Sequence, residues 1–281
     1  MAMTVTPPLR ALLDGEPADE DGVRLAITDD GVARGDGAFE TVGVWDGRPF
    51  RWDDHLDRLD ASLAKTLLPP ADRAAITADR DRLLDGLTID GALRCYVTAS
   101  GTRVLTLSPG PTSPPGQVLM PQPAPWIQPP AEYEPAGAKT MSYGPNMAAS
   151  RAARRDGGDD ALLVASDGTV LEGPTFCVLW VSGGTLCTAP VDRGIVDSIS
   201  RRTLLELADD LGIPTRVVGV PVPALADASE VLICSAVRDV ASIGRIGPHV
   251  FDGPTPVRDA LSGALDAARR GGRRPAAGAP P

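Results

Sequence analysis

Lys139–Thr175 reads KTMSYGPNMAASRAARRDGGDDALLVASDGTVLEGPT. It opens on one of only two lysines in a chain with 25 arginines. Arginine can take the place of lysine at any solvated surface. It keeps its proton near neutral pH, however, and so cannot act as an amine nucleophile. Lys65 lies in a helical stretch flanked by Arg and Asp, where charge alone accounts for it. Lys139 lies between a proline-rich stretch and a helix, and Ala138, Met141 and Tyr143 offer an apolar wall that would partly desolvate its amine. Lys139 is therefore the candidate covalent amine. Beyond it, the pattern predicts a helix over 146–155, closed by Asp156-Gly157-Gly158, and a strand over 160–165. A turn at Asp167-Gly168 follows. Glu172 then ends an apolar run just before Gly173-Pro174.

Upstream, a strand is expected near 9–13 and a turn at 29–31. GAFETVGVWDGRPF alternates apolar and polar residues around Asp46-Gly47, which is a hairpin signal. A helix is predicted over 51–68, with Asp53 or Asp54 as N-cap, Leu56, Leu59, Leu63 and Leu67 as its apolar face, and Pro69-Pro70 as its stop. A second helix is expected over 71–87, then two strands around Ser100-Gly101. Downstream, 176–182, 185–188 and 231–235 read as strands. The stretch 198–212 reads as a helix capped by Asp197 or Ser198 and stopped by Gly212, and 259–270 as an amphipathic helix.

Strands and helices mix in both halves, which predicts an α+β (mixed α/β) fold. The Pro-, Gly- and Gln-rich stretch 110–136 marks the best boundary. It separates a small N-terminal α/β domain (1–109) from a larger domain (137–270), with a disordered tail expected over 271–281. The chain has 281 residues, 43% hydrophobic and 23% charged, with a net charge of −10. That balance argues against a general nucleic-acid or anionic-membrane partner. Cys95, Cys177, Cys187 and Cys234 lack metal-site spacing and read as buried free thiols. No apolar run approaches 18 residues, and a cytoplasmic location is expected.

An amine that forms a Schiff base with pyridoxal 5'-phosphate (PLP) needs three companions. These are a carboxylate for the ring nitrogen, an anion site for the phosphate and an apolar sandwich for the ring. Glu172 is the candidate carboxylate. The start of the helix at Ser198 offers free backbone N–H groups at Ile199 and Ser200, and Arg58 offers charge. Each of these residues also has an ordinary structural reading: a turn acid, a capped helix and a surface arginine.

The set of segments resembles the class IV aminotransferases, the fold-type IV group of PLP enzymes. That group includes D-amino-acid and branched-chain aminotransferases and aminodeoxychorismate lyases. The carriers are 34–50 (RGDGAFETVGVWDGRPF), 55–63 (HLDRLDASL), 139–175, 194–213 (GIVDSISRRTLLELADDLGI) and 230–240 (EVLICSAVRDV), in the family's order. The resemblance implies a small N-terminal domain and a larger C-terminal domain whose mixed sheet forms a pseudobarrel, assembled as a homodimer. It implies that Lys139 carries the cofactor and moves the substrate proton, that Glu172 pairs with the ring nitrogen, and that Arg58, Ile199 and Ser200 hold the phosphate. Two positions depart from the family's pattern. Ala236, beside Ser235, stands where a strand-end threonine often touches the phosphate, and Phe39 stands where several relatives have tyrosine near the substrate.

A substrate carboxylate calls for an arginine fork. Arg34, Arg94 and Arg103 are the candidates. Arg103 follows the short loop 99–102, where by the resemblance D-amino-acid enzymes carry carboxylate-binding groups. Arg103, helped by Arg34, is therefore expected to fix the carboxylate, while Arg94 equally suits the solvent face of a sheet. The arginine–histidine pair of one D-amino-acid type is absent, since His55 and His249 are the only histidines. The expected activity is transfer of an amino group between an α-amino acid, with D-amino acids the leading candidates, and an α-keto acid. The alternative is aminodeoxychorismate lyase chemistry, releasing pyruvate and 4-aminobenzoate.

Overall fold

The structure is a computed structural model that describes residues 9–18, 22–110, 114, 116–126 and 135–271. It divides into two compact units, Met1–Pro111 with Ala138–Tyr143, and Thr112–Gly137 with Gly144–Pro281. The Lys139 segment thus belongs with the smaller unit, whereas the composition shift had suggested a start of the larger domain at 137. Composition marks where the chain changes character. It carries no signal for a short segment that crosses back to pair with an earlier strand.

The smaller unit contains β1 (Arg10–Leu13), β2 (Glu16–Pro17), α1 (Asp30–Ala33), β3 (Gly37–Trp45), β4 (Arg48–Pro49), α2 (Trp52–Lys65), α3 (Arg73–Leu84), β5 (Gly91–Thr98) and β6 (Arg103–Pro109). Its antiparallel sheet has the order β2-β1-β6-β5-β3-β4. The Asp46-Gly47 signal is a two-residue hairpin closed by Trp45 opposite Arg48, with both turn residues at positive φ. Leu93, Cys95, Leu105, Leu107, Val42 and Val44 point from the sheet into a core shared with Leu56, Leu59 and Leu63 of α2 and Ile76 and Leu83 of α3. Each fully buried leucine contributes roughly 1.5–3 kcal/mol. Two expectations for α2 fail. Its N-cap is Arg51, in left-handed geometry with no side-chain cap, while Asp53 and Asp54 lie in the first turn. Leu67 is 80% exposed at φ 59°, because the helix has already ended.

The larger unit contains β7 (Gln117–Pro123), α4 (Gly144–Arg155), β8 (Asp160–Val164), β9 (Cys177–Ser182), β10 (Thr185–Thr188), α5 (Ile199–Asp210), β11 (Thr215–Val217), β12 (Glu230–Ser235), β13 (Arg238–Ile246), β14 (His249–Val250) and α6 (Pro256–Gly271). The stretch read as a linker therefore holds a strand, β7. The mixed sheet runs β11-β10-β9-β12-β13-β7-β8, with β14 on β13. Irregular backbone bonds join its ends. Leu171 N donates to Leu163 O at 3.0 Å, Val170 N to Val220 O at 2.9 Å and Val218 N to Thr188 O at 2.9 Å. The sheet thus curls into a pseudobarrel. Leu119, Leu162, Val178, Trp180, Val231, Ile233 and Ile243 belong to one buried cluster, while Ala161, Leu163 and Leu171 join Ala153 of α4 in another. Neighbouring residues of β8 thus serve opposite faces, as the two-residue period of a strand requires. Buried Glu230 caps α6, its carboxylate accepting from Val257 N at 2.9 Å and Arg258 N at 2.8 Å. Gly271 ends α6. The rest of the expected tail, 272–281, lies outside the described residues.

Candidate active site

Lys139 is fixed through its backbone from two sides. Phe39 N donates to Lys139 O at 3.1 Å and Met141 N to Gly37 O at 2.9 Å, so 139–141 runs as a short extra strip along β3. Lys139 N donates to the Ser62 hydroxyl of α2 at 3.0 Å. That hydroxyl in turn donates to Arg58 O at 2.9 Å. The amine then has a defined launch point. Its Nζ lies 4.0 Å from the Phe39 ring centroid and 5.1 Å from that of Tyr143, and donates to Tyr143 Oη at 3.3 Å. Phe39 meets Tyr143 edge-on at 5.0 Å and stacks on Tyr96 at 5.7 Å.

Arg58 is not a loose surface charge. Its Nε donates to Glu40 Oε1 and a terminal nitrogen to Glu40 Oε2, both at 2.7 Å. The His55 Nδ1 lies 2.7 Å from Glu40 Oε2. Glu40 and His55 are each 2% exposed. Burial alone would push the Glu40 carboxyl up, but the Arg58 charge and fork, with His55, hold it far below the usual carboxylate range. Burial pushes the His55 imidazole down, outweighing Glu40, and Arg58 and Lys139 add to the effect, which favours the neutral ring. Glu40 and His55 were not singled out from the sequence, though a signal existed. Ala38, Glu40, Val42 and Val44 share one face of β3, and a lone carboxylate on a core-facing register demands a partner. His55 and Arg58, three apart on one helix face, supply it.

The larger unit brings together the other proposed cofactor residues. Glu172 is 8% exposed. Its Oε1 accepts from Val196 N at 3.3 Å, and its carbonyl accepts from Leu163 N at 2.8 Å. Ser198 caps α5, accepting from Arg201 N at 3.2 Å, and buried Ile199 and Ser200 form the first turn. Ser235 ends β12, and Ala236 begins the turn to β13. Cys177 and Cys234 pair across β9 and β12, and burial raises both thiols, Cys234 to about 11.

The three candidate arginines separate. Arg34 is 71% exposed and paired with Asp30, four residues earlier. Arg103 shares the register of Leu105 and Leu107, on the helix-covered face of the sheet. Its Nε donates to Asp79 Oδ2 of α3 at 2.6 Å. Arg94 lies opposite Thr41 as Tyr96 lies opposite Phe39, so Arg94, Tyr96 and Phe39 share the face that carries the Lys139 amine. Arg94 donates to Ser108 Oγ at 2.8 Å. Among the described residues no cluster suits a metal ion, and no helix is long and apolar enough to cross a membrane.

An antiparallel sheet unit and a mixed-sheet unit with these strand orders are the architecture of the fold-type IV transaminases to which the chain is similar. The family model for amino-transferase class IV matches residues 37–246, and the chain belongs to that family. It is 30% identical over 298 residues to the bifunctional aminodeoxychorismate lyase / D-amino acid transaminase of Mycobacterium tuberculosis, covering 91% of this chain and 97% of that protein. An aminotransferase from Mycobacterium tuberculosis, in its PLP-bound form, superposes with a TM-score of 0.85 at 26% identity, covering 94% of this chain and all of that one. A fold IV-transaminase from Curtobacterium pusillum gives 0.79 at 30% identity, covering 90% and 92%.

Proposed function

We propose that this chain is a PLP-dependent aminotransferase that moves an amino group between an α-amino acid and an α-keto acid. The observation that carries the reading is the Lys139 amine, pinned by β3 and α2 and set against the Phe39 and Tyr143 rings. The residues fit the cofactor: an amine in an aromatic niche, a buried carboxylate at Glu172 and free N–H groups at the start of α5. PLP, when bound, supplies an aldehyde for the lysine and a ring that withdraws electrons from the substrate's Cα.

The protein's part is attachment, orientation and proton transfer. Lys139 would anchor the cofactor through its amine and would be the group that moves the Cα proton. Glu172 keeps the proton on the ring nitrogen. Arg58, its fork angled by Glu40 and His55, would bind the phosphate from the smaller unit, and the first turn of α5 at Ser200 offers N–H groups that would bind it from the larger. Phe39 and Tyr143 exclude water from the amine. Arg94 is the carboxylate fork, since it alone of the three candidates shares the Lys139 face.

Half-reaction spectra with D- and L-amino acids test the reading. Loss of the protein-bound cofactor band on adding an amino acid, and its return with a keto acid, is expected. A band that no amino acid alters would contradict it. Aminodeoxychorismate lyase activity is the second reading, favoured by the two activities in the name of the Mycobacterium tuberculosis relative. Pyruvate release from aminodeoxychorismate that outpaces every transamination would put it first. A homodimer is proposed on the same resemblance. A fully active monomer by light scattering at micromolar concentration would remove it. Four buried free thiols among the described residues support a reducing compartment such as the cytoplasm.

A further inference from the structure

Arg238 opens β13 and pairs with Ser235, the last residue of β12, across the two-residue turn Ala236-Val237. Cys234 pairs with Cys177 of β9, so Phe176, one residue earlier, lies alongside Ser235 on the neighbouring strand. Phe176 and Arg238 are therefore two strands apart, roughly 9.6 Å. Yet the Arg238 guanidinium carbon lies only 5.5 Å from the Phe176 ring centroid. The side chain must lie back across the Ser235 position to reach it. The ring is itself fixed, being 4% exposed and pressed on Gly173, where an added Cβ would meet a ring atom at 2.0 Å. Gly173 follows Glu172 directly. The guanidinium thus lies over a ring that abuts the Glu172 turn, on the hairpin end assigned above to the cofactor side.

Among the described residues no carboxylate lies within hydrogen-bond reach of the Arg238 guanidinium. Asp160 acts on it from a distance, but Asp160 Oδ1 accepts from Ser150 Oγ at 2.6 Å and Ala161 N at 2.9 Å. Asp239, next in sequence, is bonded to Arg269 at 2.5 Å. Arg154 opposes the charge, and burial lowers the Arg238 pKa. A partly desolvated cation with no paired anion is costly, and a guanidinium offers a planar fork of donors to a carboxylate or phosphate.

We propose that Arg238, with the Ser235 hydroxyl beneath it, forms an anion-binding fork for a carboxylate or phosphate group of a bound ligand. The proposal rests on the cofactor reading above. It also offers a replacement for the phosphate contact that Ala236 cannot make: a charged fork two residues on.

The test uses the full chain as wild type, Arg238→Gln and Arg238→Lys, with melting temperatures to confirm folding. PLP and pyridoxal, which lacks the phosphate, are titrated by absorbance, and an amino acid and a carboxylate-free amine are compared in single turnovers. If Arg238→Gln weakens PLP about tenfold or more and leaves pyridoxal unchanged, the fork holds the phosphate. If it raises the half-saturating amino-acid concentration by a similar factor and leaves the amine unchanged, the fork holds the carboxylate. Partial recovery in Arg238→Lys, which keeps the charge without the fork, is expected in either case. All four ligands unchanged within twofold, or all four weakened alike in a folded variant, overturns the proposal. A wild type that takes up no PLP at all fails the cofactor reading instead. Inorganic phosphate and acetate are then the probes: a wild-type melting temperature raised by either and lost in Arg238→Gln supports the fork, and no rise overturns it.

Discussion

The Arg58 guanidinium grips the Glu40 carboxylate through two parallel bonds of 2.7 Å, and Glu40 is 2% exposed. A buried acid thereby fixes the direction of an arginine that would otherwise swing on three methylenes. Glu40→Gln keeps the shape but removes the charge and one arm of the fork. PLP affinity should fall about tenfold or more, with pyridoxal affinity unchanged. Equal losses for both ligands would mean that Glu40 serves the fold and not the grip.

The same cluster sets a pH dependence of stability. His55 titrates below its free value of 6.5 in the folded protein, so its contribution is full above about pH 6.5 and is lost as the pH falls through the lowered folded value. Glu40 titrates below its free value of 4.5, so its contribution is intact at pH 5 and is lost only in stronger acid. Urea midpoints should therefore drop between pH 7 and 5 through His55 and again below pH 4.5 through Glu40. His55→Gln should flatten the first drop. A variant with the wild-type slope would place that titration elsewhere.

Glu172→Gln should slow removal of the substrate's Cα proton by roughly a hundredfold, since a preorganised charge partner is worth ~3 kcal/mol at a transition state. Stopped-flow half-reactions read this step directly. A rate within a few-fold of wild type would take the ring-nitrogen role from Glu172.

Arg94→Ala should raise the KM for amino and keto acids by roughly ten- to a hundredfold, the worth of a charged hydrogen bond, and change amines without a carboxylate far less. Arg103→Ala should instead lower the melting temperature, because it strands Asp79, which is 4% exposed. Reversal of the two phenotypes would return the carboxylate role to Arg103.

Much of this was legible in the sequence. Asp46-Gly47 marks its hairpin because only certain residues accept two consecutive positive φ angles. Ser198 caps its helix because its hydroxyl answers a free N–H. Lys139 and Glu172 stood out through their motifs. The choice among arginines was not legible, because Arg94 and Arg103 both flank one loop and only strand register separates their faces. The Glu40–His55–Arg58 cluster joins positions up to 18 apart through tertiary packing that local pattern does not report. Arg238 looked like one arginine among 25 until the β12–β13 register laid it beside Phe176.

The central claim is that Lys139 carries the cofactor. Mixing the purified protein with PLP, reducing with borohydride and mapping the peptides by mass tests it most directly. One added pyridoxyl phosphate per chain, on the peptide containing Lys139, is expected. Label on Lys65, or no label on either lysine, would contradict it.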